Sequence, residues 1–147
     1  MARRGLLILL LLSMAGTTLT ACGSSTATLP EHEIAMAPMS MMPDDVQSAP
    51  PRTQQAYQFA VANPDVMQHM PCYCGCVELV HTSNYDCYVK SVKPDGQVTF
   101  DSHATNCEVC IDITQDVMRL FKQGDSTASI KAYIDKNYAR YGASTGP

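Results

Sequence analysis

From Pro51 the stretch PRTQQAYQFAVAN sets Ala56, Phe59 and Ala60 at i, i+3 and i+4, one face of a helix, and Asn63-Pro64 supplies the stop. Asp65 to Met70 has room for a further helical turn. From about Ala104 to Lys122 the apolar positions Cys107, Cys110, Ile113, Val117, Leu120 and Phe121 fall largely on one helical face, which Gly124 ends. Asp125 or Ser126 is placed to cap a last helix carrying Ile130, Tyr133, Ile134 and Tyr138. Between these helices, residues 86–90 and 97–100 flank Lys93-Pro94-Asp95-Gly96, a weakly patterned hairpin. The pattern predicts a mainly α fold: a small helical domain over residues 51–147 with a cysteine-rich loop and a short β-hairpin.

The first 50 residues read differently. Arg3 and Arg4 precede the unbroken apolar run Leu6–Leu12, and small residues lead to Leu19-Thr20-Ala21-Cys22. Residues 1–21 are expected to be a signal peptide, since the apolar run is far short of the roughly 20 residues that span a bilayer. The LTAC ending resembles a bacterial lipobox, which makes Cys22 the acylated first residue of the mature chain. The plainer alternative is an ordinary cleaved signal with a stray cysteine. Arg3-Arg4 also matches a twin-arginine signal in part, so the export route stays open between the two. Residues 22–50 are rich in Ser, Thr, Ala, Pro and Met and contain no aromatic residue. They are expected to form a flexible tether.

Composition sharpens this picture. A chain of 147 residues has room for one domain. Removing the leader leaves eight Lys+Arg against fourteen Asp+Glu, a net charge near −6, which argues against a nucleic-acid partner. Attachment to the extracytoplasmic face of the bacterial cell membrane would come from the lipid on Cys22. Acylation also takes one of the seven cysteines and leaves six in the domain.

Those six form two trios, Cys72/Cys74/Cys76 in PCYCGC and Cys87/Cys107/Cys110, with His81 and His103 nearby in sequence. On one continuous helix His103, Cys107 and Cys110 would share a face at i, i+4 and i+7. Cys107 would lie in the first turn, where helix-end N–H groups favour a thiolate. Such ligands select soft ions, Cu(I) first and zinc second. Gly75 gives the loop the freedom to turn successive thiols toward one or two ions. Met67, His69 and Met70 abut the loop, and Met36, Met39, Met41 and Met42 could gather Cu(I) or simply populate a linker.

Two other readings use the same atoms. Three cysteines against three could close as structural disulfides, in any of fifteen connectivities for six cysteines. Cys107-Glu108-Val109-Cys110 has the spacing of a redox pair, though no βαβ pattern surrounds it. In a mixed role, reduction of a disulfide would open a metal site. The reading adopted is a soft-metal-binding protein that acts as chaperone, scavenger or sensor, with Cys72, Cys74, Cys76, His81, Cys87, His103, Cys107 and Cys110 as candidate ligands. Its partners would be the membrane, through Cys22, and a protein that donates or accepts the metal.

The blocks Pro71–Cys76, His81, Asp86-Cys87, His103–Cys110, Phe121–Gly124 and Ile130–Asp135 resemble the bacterial PCYCGC-motif (lipo)proteins. The resemblance runs from about Ala56 to Gly142, with the lipobox in the usual place. It implies an exported lipoprotein and does not supply a chemistry. This chain departs from the pattern near Val77, where another glycine is expected.

Overall fold

The computed structural model describes residues 31–75 and 81–146. The leader, Cys22, the start of the tether and Cys76 lie outside the described residues. The fold is mainly α. Helices α1 (Asp44–Gln47), α2 (Pro51–Ala62) and α3 (Pro64–Met67) precede a hairpin of β1 (Val89–Val92) and β2 (Val98–Phe100). Helices α4 (Glu108–Lys122) and α5 (Thr127–Tyr138) follow, and 3-10 turns occupy Met39–Met41, Asn84–Cys87 and His103–Asn106.

Local chemistry accounts for these elements. Pro51 occupies the first turn of α2, where its missing N–H costs nothing, and Pro64 does the same for α3. α4 ends in a Schellman motif. Gly124 takes φ +86°, its N–H donates to the Phe121 carbonyl, and the Asp125 N–H donates to that of Leu120. The Ser126 hydroxyl then caps α5 by accepting from the Ser129 N–H at 3.2 Å. In the hairpin, Gly96 at φ +85° closes the turn and an irregularity separates the Val89–Phe100 and Ser91–Thr99 pairs.

α4 is the centre of the fold, packed by α2 on one side and α5 on the other. Ile113, Val117, Ile130 and Ile134 are fully buried along it, with Ala56, Phe59 and Ala60 from α2. The expected stripes are therefore largely the core, except that Cys107 and Phe121 are partly buried and Tyr133 is left at the surface.

Residues 31–50 differ from the expected flexible tether: they lie on the helical domain. The Ala37 N–H donates to the Gln58 carbonyl while the Gln58 amide returns a bond to the Ala37 carbonyl. Asn63 donates to the Ala35 carbonyl, and Met42 and Val46 are buried. Side-chain amides on α2 and at its C-cap thus satisfy backbone groups at Ala35 and Ala37.

A buried polar network fixes the N-terminal end of α4. The Tyr88 hydroxyl donates to the Cys110 carbonyl at 2.8 Å and lies 2.6 Å from the Thr114 hydroxyl. The Asn84 amide donates to the same Thr114 oxygen at 2.8 Å. All three side chains are fully buried. Replacing Thr114 by Val keeps the shape and strips the shared hydroxyl, which leaves buried donors short of a partner. The expected loss is about 1–3 kcal/mol, or roughly 4–8 °C of melting temperature per kcal/mol. An unchanged thermal melt would show that the network does not hold the fold.

Candidate metal centre

Three separate stretches bring the described sulfurs together. Cys72 and Cys74 come from the loop after α3, where Gly75 takes φ +78°. The loop is held from outside by the C-terminal segment. The Cys72 N–H donates to the Thr145 hydroxyl at 3.1 Å, and the Thr145 N–H donates to the Cys72 carbonyl at 3.0 Å. Gly142 and Gly146 allow this approach, because a Cβ at either would meet loop atoms at 2.9 Å. Tyr73 ties the loop to α5 through a 2.6 Å hydrogen bond to Asp135.

Cys87 ends the 3-10 turn at Asn84–Cys87. That turn is started by a Ser83/Asp86 capping box, and the Asp86 carboxylate also accepts from the Thr82 N–H and hydroxyl. Cys110 lies in the first turn of α4 and Cys107 is its N-cap residue.

The expectation of one helix carrying His103, Cys107 and Cys110 needs correction. His103 belongs to a separate 3-10 turn, and Cys107 is extended at φ −130° and ψ 98°. The break changes the route by which these side chains converge, but they still converge.

The geometry is that of a sulfur cluster. Cys110 Sγ lies 3.5 Å from Cys72 Sγ and 3.3 Å from Cys87 Sγ, and the Cys72–Cys87 separation is 3.8 Å. Four sulfurs bonded at ~2.3 Å around a tetrahedral ion stand about 3.8 Å apart, so the three are close to ligand spacing before any ion arrives. Cys72, Cys87 and Cys110 are fully buried. Cys74 Sγ is 3.0 Å from Cys72 Sγ and 3.7 Å from His103 Nε2. Two ligand sets result, Cys72/Cys74/Cys87/Cys110 and Cys74/His103/Cys107/Cys110, each with its donor atoms within 4.8 Å of one another.

No disulfide joins two of the described cysteines: Cys72, Cys87, Cys107 and Cys110 are free thiols. Cys74 is in disulfide form, so its service as a ligand requires reduction.

His81 completes the surroundings. Its Nδ1 lies 3.7 Å from Cys87 Sγ and its Nε2 lies 3.8 Å from an Asp101 carboxylate oxygen. The other Asp101 oxygen accepts from the His103 N–H at 2.7 Å. Asp101 therefore fixes the backbone at the start of the His103 turn with one oxygen and sets its other oxygen near the His81 imidazole. It was missed in the sequence, although Asp two residues before His103 is a recognisable local turn signal. An open cavity of about 590 Å³ is lined by His81, His103, Asp101 and Lys90, on the histidine side of the cluster.

Other sequence candidates fall elsewhere. Met67, Met70 and Met42 are core residues, Met36 and Met41 are at the surface, and His69 is exposed.

The thiols share protons unequally. Hydrogen bonds from the Cys110 and Cys87 thiols hold Cys72 well below the ordinary thiol range against the opposing effect of burial, with help from His103. Cys110 is pushed up by its contacts with Cys107, Cys72 and Cys87 and by burial. For Cys87 the contact with Cys110 pulls down, and the contact with Cys72, burial and nearby thiolate charge prevail upward. The donors are thus Cys110 and Cys87, and the charge rests on Cys72.

A family model described as "protein of unknown function with PCYCGC motif" matches residues 10–146. The chain belongs to this family. No curated protein and no solved structure matches the chain.

Cys107 is half-buried, and the Cys110 thiol lowers its pKa to about 6, with burial opposing and the Cys110 backbone N–H and His103 assisting. In reduced, metal-free protein its thiolate forms as pH rises through that value. Alkylation at Cys107 should therefore have a midpoint near 6, and Cys107→Ser should remove this phase. A midpoint at the ordinary thiol value, about 8.5, would contradict the assignment.

Proposed function

We propose that this chain is an extracytoplasmic, lipid-anchored protein that binds a soft metal ion, Cu(I) before zinc, through its cysteine cluster. The observation that carries the reading is the triangle of free, buried sulfurs at 3.3–3.8 Å on three different segments. Buried thiols at that spacing with imidazoles beside them suit a soft cation better than an apolar core. Structural disulfides among Cys72, Cys87 and Cys110 are disfavoured, because these three sulfurs lie close enough to pair and remain unpaired. Cu(I) is preferred because the converging donors are soft cysteine sulfurs with imidazole beside them, and a chaperone, scavenger or sensor would exchange it with a partner through the histidine-lined cavity.

Thiol–disulfide exchange is the second reading, and one contact favours it. The Cys72 thiolate lies 3.0 Å from Cys74, which is in disulfide form. The two readings meet if a dithiol reductant supplies two electrons and two protons to that disulfide and is itself oxidised to a disulfide. The thiol so formed on Cys74 is the donor that both ligand sets need.

The test is metal content by elemental mass spectrometry beside a free-thiol count under denaturing conditions, on protein purified anaerobically from a host supplied with copper and zinc. After reduction of the Cys74 disulfide with a dithiol, stoichiometric metal with six free domain thiols is the expected result, and Cys72→Ser should lower the metal content. An ion held at a thousandfold its Kd adds about 4 kcal/mol of stability, which a competing chelator should remove from the melt. Metal-free protein without free thiols would refute the site.

The anchor is tested separately. Cys22→Ser should move the protein from the membrane fraction to the soluble fraction and abolish incorporation of labelled fatty acid. Persistence of the variant in the membrane fraction would defeat the lipid-anchor reading.

A further inference from the structure

The two ligand sets overlap in an unequal way. Cys74 and Cys110 belong to both, Cys72 and Cys87 only to the first, and His103 and Cys107 only to the second. An ion of tetrahedral preference takes four donors. One ion in either set therefore leaves two soft donors of the other set a few ångströms away and unused. Two ions in separate cages would need eight donors, and the two sets together offer six. Both sets can be filled only if the shared atoms are shared by the ions. Thiolate sulfur permits this, because it carries more than one lone pair.

We propose that the cluster is dinuclear, with the Cys74 and Cys110 thiolates bridging two Cu(I) ions. This rests on the metal-binding reading above and on reduction of Cys74 by the dithiol step given there. The inner ion is completed by Cys72 and Cys87, which are fully buried. The outer ion is completed by Cys107 and His103, which are only half-buried, and His103 lines the open cavity. The inner ion is the structural member of the pair and the outer ion is the one a partner reaches. Binding replaces thiol protons by the two cations, so the bridges carry their negative charge in contact with metal and not in an apolar core.

The experiment uses the mature chain in detergent, reduced with a dithiol and titrated anaerobically with Cu(I) against a chromophoric competitor. X-ray absorption is recorded on the loaded protein. The expected result is about two ions per chain and a metal–metal distance on the order of 3 Å, since two ions bonded at ~2.3 Å to the same two sulfurs must lie that close. Cys107→Ser, at a half-buried position tolerant of the change, should retain one ion and lose the metal–metal signal. One ion per wild-type chain, or two without a metal–metal signal, would overturn the dinuclear cluster and leave the metal-binding function standing. Two bridged ions in Cys107→Ser would overturn the outer ligand set. No bound copper would overturn both readings together.

Discussion

The placement of the first turn of α4 governs the rest of the molecule. Cys110 sits there with its carbonyl held by Tyr88 and its sulfur in contact with those of Cys72 and Cys87. A buried carbonyl must be satisfied, and here the partner is a tyrosine that also touches Thr114 one turn further along the helix. That arrangement fixes both the height and the rotation of α4 against the turn that carries Cys87. The sulfurs therefore meet because a polar network sets the register of two segments 23 residues apart. A core of apolar side chains alone would tolerate sliding or rotation more readily.

The loop carrying Cys72 lies outside the helices and is held differently. Its backbone pairs with Thr145, and the Met70 carbonyl accepts from the Asn84 N–H at 2.7 Å just before it. Asn84 thereby connects the loop to the same network that fixes α4, because its side chain reaches Thr114. The C-terminal segment closes over the other side, and two glycines make that contact sterically possible. The site is thus framed by elements from nearly the whole described chain, although each sulfur is delivered by a short local turn.

Much of this was legible in sequence, and the gaps have physical causes. α2, α4 and α5 follow from apolar periodicity and from stop signals at Pro64, Gly124 and Ser126, because each helix buries one face against a neighbour. Residues 31–50 were not legible as packed structure. They bind through backbone groups caught by Gln58 and Asn63, and hydrogen bonds of that kind leave no period in the apolar pattern. The grouping of His103, Cys107 and Cys110 was legible by a wrong route. A single extended residue at Cys107 breaks the helix that the spacing suggests, and a one-residue break is invisible to a periodicity argument. The C-terminal Gly142–Gly146 stretch reads as a loose end until the loop it covers is in place.

The break at Cys107 also explains how unlike donors can serve one cluster. On a continuous helix, residues at i, i+4 and i+7 would lie in a row along one face with Cβ atoms about 5–6 Å apart, and all three would approach a site from the same side. The extended N-cap residue folds that row back on itself, so that Cys107 and His103 approach the same sulfurs that Cys110 meets from within the helix. Ligand convergence here depends on ending the helix early and beginning it again, with the α4 N-terminus facing the thiolate that forms at Cys107. A substitution that extended α4 backward through residue 107 would add helical hydrogen bonds and redirect His103 and Cys107 away from their present approach to the cluster. Local helix stability and site geometry therefore oppose each other at this position, and the geometry prevails.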